Sequence, residues 1–260
     1  MKTLVCIMQQ VRNGQWDTFK PNVLDHLKAD LALCVSDAPP KSLGNVISGT
    51  VDQRYYEHAK YKFIYKEPES WETAFDEMDP SWRDYRSIPG NWLGPTSTHE
   101  GSGGINAFFR WFLYQHIKDL DYDRVIITRS DYVWREPHPD LDNEHVWVPN
   151  GEFHGGICDR HMVIPRKFWK EFLVVPKDPS LFDFYKSRQE QSWMMNNESY
   201  IWFMYSKQDL MKHVGFFPFV MHVDGPKYPG ELETHRQIIV WPYTIDHSFL
   251  SHGYFQGRIF

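Results

Sequence analysis

The run Val125-Ile126-Ile127-Thr128-Arg129-Ser130-Asp131, near the middle of the chain, follows apolar β-branched residues with an arginine and an aspartate two positions apart. In an open α/β sheet the ligand crevice lies beyond the carboxyl ends of the strands, so a carboxylate placed there is aimed into it. Side chains alternate along a strand, which puts Arg129 and Asp131 on one side if the strand reaches that far. A guanidinium and a carboxylate so placed can hold a diphosphate and its metal ion. They can equally close on each other as an ion pair capping the strand end. Gln9-Gln10-Val11-Arg12 directly follows the apolar run 4–8 and opens on the same kind of crevice. Arg12 is then a phosphate or base contact with Gln9 and Gln10 beside it, and the Gln10 amide can read a base edge. A solvated loop arginine is the alternative, because no glycine-rich cradle follows the strand.

These residues need elements to hold them. Residues 4–8 read as a buried strand, 21–28 as a helix opened by Pro21 with Val23, Leu24 and Leu27 inward, and 31–35 as a second strand. A helix at 52–60 and a strand at 61–65 continue the alternation expected of a mostly parallel sheet with helices on its faces. The segment 66–103 interrupts that rhythm with prolines at 68, 80, 89 and 95. It reads as a long loop of net charge −5 over 66–100, anchored by Trp71, Trp82 and Trp92, either a lid or a surface insertion. The spacing predicts the clearest helix over 105–120, with Ile105, Phe108, Phe109, Phe112, His116, Ile117 and Leu120 inward and His116 as a satisfied core histidine. Beyond Asp131 follow a loop at 136–142, strands at 145–148 and 156–165 divided by Asn150-Gly151, and a helix over 197–214. Asn196 or Asn197 caps that helix, and Ile201, Met204, Tyr205 and Met211 face inward. Late strands are expected at 216–221 and 237–241.

Bulk properties narrow the function. A net charge of −6 without any Lys/Arg block excludes a nucleic-acid partner, whose phosphates demand a cationic face. The 11 tryptophans exceed what core packing needs, and flat rings suit sugars and nucleobases. A non-catalytic carbohydrate-binding protein using the Trp-rich loop is therefore the alternative to an enzyme. Cys6, Cys34 and Cys158 are widely spaced and form no CxxC pattern, which points to neither a disulfide framework nor a zinc site and favours a reducing compartment. The apolar start is too short for a signal-peptide core, and no run approaches the roughly 20 apolar residues of a membrane span. The chain is expected to be soluble and cytoplasmic. Asn197-Glu198-Ser199 matches a glycosylation sequon that, without secretion, carries nothing.

Taken in order, the βαβ start, the strand ending in an acidic motif, the glycine turn and a late strand ending in histidine resemble the GT-A (Rossmann-like) fold of nucleotide-sugar glycosyltransferases. Tyr122-Asp123-Arg124-Val125-Ile126-Ile127-Thr128-Arg129-Ser130-Asp131 is similar to the YDxVIxxRxD motif of surface-polysaccharide and viral capsid-glycan glycosyltransferases. The resemblance spans about residues 1–225. It implies one α/β domain over 1–260, with a mixed, mostly parallel sheet flanked by helices, a nucleotide-binding half about 1–131 and an acceptor-binding half about 132–260. It also implies a hexosyl- or pentosyltransferase of polysaccharide biosynthesis, with a nucleoside diphosphate sugar as donor and a glycan or glycoprotein as acceptor.

Such enzymes place a DxD motif at this strand end to hold Mn²⁺ or Mg²⁺ on the donor diphosphate. Here Arg129 replaces the first carboxylate, so the resemblance makes Asp131 the catalytic metal ligand and adds His222, after a late strand, as a second. An imidazole beside a carboxylate favours Mn²⁺. Arg129 can instead neutralise the diphosphate directly. The stretch from Asn150 to Arg160 resembles the acceptor-side turn, whose glycines admit a sugar. Asp159 would bind sugar hydroxyls there, or pair with Arg160 or Arg166. Glu198, in the first turn of the last long helix, is stabilised as an anion by the helix dipole and is a candidate base for the acceptor's proton. An ordinary first-turn glutamate is the alternative. Trp193 and Trp202 flank it, to stack on a sugar or simply to pack.

Overall fold

The computed structural model describes residues 1–12, 14–38, 51–79, 102–151, 156–175, 196–223, 238–240 and 243–245. Its strands are β1 (Thr3–Gln9), β2 (Asp30–Ser36), β3 (Tyr61–Tyr65), β4 (Arg124–Thr128), β5 (Tyr132–Trp134), β6 (Val146–Pro149), β7 (Met162–Pro165), β8 (Val214–Phe217), β9 (Met221–Val223), β10 (Ile238–Val240) and β11 (Tyr243–Ile245). Seven of them form one sheet in the order β3-β2-β1-β4-β7-β6-β8. The first four in that order are mutually parallel, β7 runs antiparallel to both β4 and β6, and β8 is parallel to β6. The result is the expected mixed, mostly parallel α/β sheet. Two short pairs, β5 with β9 and β10 with β11, stand apart from it.

Helices cover both faces because the central strands are apolar on both sides, the pattern of a buried parallel sheet. Along β1, Leu4, Cys6 and Met8 enter one core cluster while Val5 and Ile7 enter the other, as strand alternation requires. On the first face lie α3 (Trp71–Met78), α4 (Ser102–Ile117), α5 (Trp169–Leu173) and α6 (Asn197–Lys207). On the second lie α1 (Trp16–Phe19), α2 (Gln53–His58) and the β5–β9 pair.

Several elements differ from the sequence expectation. The first helix begins at Trp16, and Pro21 sits within it where the chain widens to π spacing over Lys20–Asp25. Proline has no N–H for the regular ladder and its ring displaces the preceding turn. The loop expected from residue 66 contains α3, whose Trp71, Ala74, Phe75 and Met78 recur at helical spacing and pack on the first core. Trp71 is thereby used for packing, with its ring 5.7 Å from Phe108 and 6.1 Å from Tyr65; Trp82 and Trp92 lie outside the described residues. α4 starts and ends three residues early, and His116 is exposed instead of in the core, its Nδ1 2.8 Å from the Phe112 carbonyl. The strand expected over 156–165 is confined to β7, and the strand expected over 216–221 is split between β8 and β9.

Phe108 has no exposed surface and touches Tyr65 at 4.7 Å as well as Trp71. Phe108→Ala is expected to cost about 3–5 kcal/mol, read as a lowered urea midpoint with an unchanged m-value.

Candidate active site at the carboxyl ends of β1 and β4

From β1 the chain builds outward through β2 and β3, then crosses back to lay β4 on the other side of β1. Strand order therefore reverses between β1 and β4, the point at which an open α/β sheet leaves a crevice beyond its carboxyl ends. β1 ends abruptly. Gln9 has φ 71°, and the Gln10 N–H donates to the Met8 carbonyl at 2.9 Å, a γ-turn of the strained hand. Such a backbone costs about 1–3 kcal/mol and persists where neighbouring contacts over-determine it. Those contacts are present. The Arg12 N–H donates to Ser130 Oγ at 2.8 Å, the same hydroxyl donates to the Arg12 carbonyl at 2.8 Å, and the Ser130 carbonyl accepts from Gln15 N–H and Tyr55 OH at 2.9 and 3.1 Å. The Arg12 Nε in turn donates to Gln10 Oε1 at 2.8 Å.

β4 stops at Thr128, short of the motif's end, yet Arg129 and Asp131 still meet. Arg129 Nε and Nη2 donate to Asp131 Oδ1 and Oδ2 at 2.7 and 2.5 Å, a bidentate fork on a carboxylate whose side chain is 7% exposed. Arg129 also lies over the Tyr132 ring, 5.8 Å from its centroid. Burial alone would raise the Asp131 pKa; the charge and hydrogen bonds of Arg129, helped by the charge of Arg12, hold it below the usual carboxylate value. Burial, followed by repulsion from Arg129, lowers the pKa of the half-buried Arg12, against the pull of Asp131. No terminal nitrogen of Arg12 has a hydrogen-bond partner among the described residues.

A second group lies at the amino end of α6. Asn196 caps that helix, its Oδ1 accepting from Ser199 N–H at 2.7 Å. The next residue, Asn197, is 4% exposed, so it is no surface sequon, and its Nδ2 donates to Asp159 Oδ2. Arg160 Nη2 lies 3.3 Å from Glu198 Oε1, and Arg160 Nε lies 3.9 Å from Asp159 Oδ1. Asp159 Oδ1 and Asn197 Oδ1 are buried without a hydrogen-bond partner among the described residues. Gly156 itself lies against the helix start, where a Cβ would come within 2.0 Å of the Glu198 carbonyl oxygen. Asp159 does not pair with Arg166, which bonds instead to backbone carbonyls of Leu120 and Tyr122. The charge of Arg160 reaches Arg129 as the smallest of the influences on that guanidinium.

Arg110 was not foreseen. It lies on α4 with no exposed surface, and its Nη2 donates to the Asp159 carbonyl at 2.7 Å while Nε donates to Asn106 Oδ1 at 2.8 Å. Its place on the inward face, beside Phe109 and Leu113, was the available signal. A cleft of about 270 Å³ opens beside Arg12, lined by Gln10 and Val11 from β1, Ser36 and Asp37 from β2, and Gln53 and Tyr56 from α2.

The expected metal site is only partly assembled. β9 pairs with β5 and sets His222 opposite Val133, two residues beyond Asp131, but the His222 side chain lies outside the described residues. Both Asp131 oxygens are engaged by Arg129, so a divalent ion would have to displace a guanidinium. No cluster of three or more His, Cys, Asp or Glu side chains suited to a metal occurs among the described residues. The described side chains do not fit Mn²⁺ or Mg²⁺. Trp202 is exposed on α6, and Trp193 and His154 lie outside the described residues. The three cysteines are buried and free, and no described helix is long and apolar enough to cross a membrane.

No protein-family profile and no curated protein matches the chain. Among solved structures, mouse xyloside xylosyltransferase 1 in its apo form aligns with 84% of this chain and 85% of its own, at 9% identity and a TM-score of 0.42. The glycosyltransferase GlyE of Streptococcus pneumoniae TIGR4 aligns with 83% of this chain at 10% identity and a TM-score of 0.34, and the alignment spans 44% of the GlyE chain.

Two outcomes test this geometry. Arg129→Met strands a buried carboxylate and is expected to cost about 3–5 kcal/mol. Because Arg129 is the main influence holding Asp131 below its ordinary value, the difference between wild type and variant should narrow as acid protonates that carboxyl, measured by denaturant unfolding from pH 7 to 3. Gly156→Ala should cost about 1–3 kcal/mol by overpacking against the α6 backbone, seen in the same assay.

Proposed function

We propose that this chain is a GT-A-type glycosyltransferase, moving a hexosyl or pentosyl group from a nucleoside diphosphate sugar to a glycan or glycoprotein acceptor in polysaccharide biosynthesis in the cytoplasm. The observation that carries this reading is Arg12, whose terminal nitrogens have no hydrogen-bond partner among the described residues and whose backbone is stitched to the Arg129–Asp131 turn at the sheet's switch point. The adjoining cleft suits a nucleoside: Asp37 at the end of β2 stands where dinucleotide-binding folds carry the acid that binds ribose hydroxyls, and Gln10 can address the base. The 1–131 half would then hold the donor and the remainder the acceptor.

In the transfer the bond from the anomeric carbon to the diphosphate oxygen breaks and the diphosphate leaves with the electron pair. The acceptor oxygen bonds to the anomeric carbon and yields its proton to a base. Guanidinium groups fixed before the reaction stabilise the departing charge without reorganising, which assigns Arg12 and Arg129 to the diphosphate. Asp131 aims Arg129. Carboxylates gather at the opposite end, where the anomeric carbon gains positive character. Of the two candidates there, Asp159 has one oxygen without a hydrogen-bond partner among the described residues, whereas Glu198 is bonded to Arg160. Asp159 is thus the better placed to bind a sugar hydroxyl or take its proton.

Calorimetric titration with UDP, GDP and the matching nucleosides, with and without Mn²⁺, tests the proposal. Diphosphates should bind more tightly than nucleosides, and Arg12→Met should weaken diphosphate binding about tenfold, the worth of a hydrogen bond to a charged group. Nucleoside binding should be unchanged. Equal losses for both ligands, or binding of neither diphosphate, would remove the basis of the assignment.

A further inference from the structure

Beneath the turn that bears Arg129 and Asp131 lies a second polar group, which the proposed reaction does not use. Trp134 is 1% exposed, and His138 and His161 have no exposed surface. Their rings pack together, with centroids 5.4 Å apart for His138 and His161, 5.4 Å for Trp134 and His161, and 5.7 Å for Trp134 and His138. Phe217 closes one side at 5.9 and 5.6 Å from the two imidazoles. Each ring of the trio carries one buried nitrogen without a hydrogen-bond partner among the described residues: Trp134 Nε1, His138 Nε2 and His161 Nε2.

The chemistry of those nitrogens is constrained. His138 Nδ1 lies 2.8 Å from the Pro139 carbonyl, which can only accept, so Nδ1 bears the proton and Nε2 is left as a lone pair. His161 Nδ1 lies 3.0 Å from Thr128 Oγ1 and can be satisfied the same way. Trp134 Nε1 is a donor only. One donor and two acceptors on three mutually packed rings are the complement of one water molecule, which accepts once and donates twice. Buried waters typically make about three such bonds.

The placement gives this knot a task. His161 grips Thr128, the last residue of β4, and Trp134 ends β5, so both ends of the segment that presents Arg129, Ser130 and Asp131 are tied to it. We propose that Trp134, His138 and His161 enclose a single water molecule and together act as positioning residues for the Arg129–Asp131 turn, holding it only while both imidazoles are uncharged. This needs no donor or acceptor and stands apart from the glycosyltransferase reading.

Protonation would break the arrangement, because a charged ring has no lone pair for the water, and Asp140 is the smallest of the influences on His138. Among the described residues, the charged or titratable groups that act on His138 are Arg124 of β4, His26 and Asp140, and His138 acts on His161. Burial, the leading cause in both, pushes His138 down to about 4 and His161 well below its ordinary value. The folded state therefore prefers neutral imidazoles. That preference costs nothing above the ordinary histidine value of 6.5, and below it the unfolded chain gains protons that the fold refuses. Each of the two histidines then lowers the folding constant about tenfold per pH unit until its own folded value is reached.

The test uses the full chain. Imidazole ¹⁵N resonances are followed by NMR from pH 8 to 4 and assigned by H138Q and H161Q, with amide exchange measured in parallel. Both rings should stay neutral, with Nδ1 protonated, below pH 5, and exchange at Ser130 and Asp131 should accelerate as they charge. In H161Q those two amides should already exchange at least tenfold faster at pH 7, with β2 amides unchanged. A crystal at neutral pH should show one peak within hydrogen-bond reach of all three nitrogens. Either ring charged at pH 6, a pH response of Ser130 and Asp131 shared by wild type and H161Q, or X-ray fluorescence from a metal at that peak overturns the proposal. If H161Q fails to fold, the wild-type titration and the crystal still decide it.

Discussion

A buried carboxylate and the partly exposed guanidinium beside it leave each other little freedom. Arg129 and Asp131 sit where the β4 ladder stops, and removing Arg129 would leave an uncompensated carboxylate away from water. Their fork sets the direction of both side chains, and Ser130 between them faces the opposite way to bind the Arg12 backbone from both its N–H and its carbonyl. One three-residue turn thereby locks the first loop of the chain to the middle of the sheet. The strained γ-turn at Gln9 is tolerated at the start of that loop because these contacts hold it from both ends.

Two charged groups form beyond the sheet. Arg12 and Arg129 lie past the carboxyl ends of β1 and β4, and Asp159 and Glu198 lie at the amino end of α6 with Arg160 beside them. The same layout explains why a divalent ion finds no ready seat among the described side chains: the carboxylate best placed for it is already occupied by an arginine. Arg110 supports the acidic end from below, its buried guanidinium spent on the Asp159 carbonyl and neighbouring oxygens.

Legibility followed the range of the interaction. β3 and the central strands were readable because two-residue alternation and apolar runs are local signals, and α2 and α6 because Asp52 and Asn196 accept from backbone N–H groups two and three positions on. α3 was hidden by the prolines beyond it, although Trp71, Ala74, Phe75 and Met78 carry the helical spacing. His116 shares the period of the α4 core face but falls at its rim, exposed beside Phe63 of the edge strand β3. The pairing of Arg129 with Asp131 was one of two outcomes open from spacing alone, and their meeting past the end of the strand came from the turn at Ser130.

By itself the sequence determined the alternation of strands and helices, the apolar character of both sheet faces and the residue types available at the strand ends. Those properties are written in repeats of two and 3.6 residues, within reach of a few neighbours. Only the tertiary structure decided the partners. Ser130 meets Arg12 across 118 positions and Arg110 reaches Asp159 across 49, and no local period encodes such distances. Which carboxylate is neutralised, which has an oxygen without a partner among the described residues and which imidazoles are buried from bulk solvent all follow from how the elements close over one another, because burial and a partner's charge are properties of the assembled core.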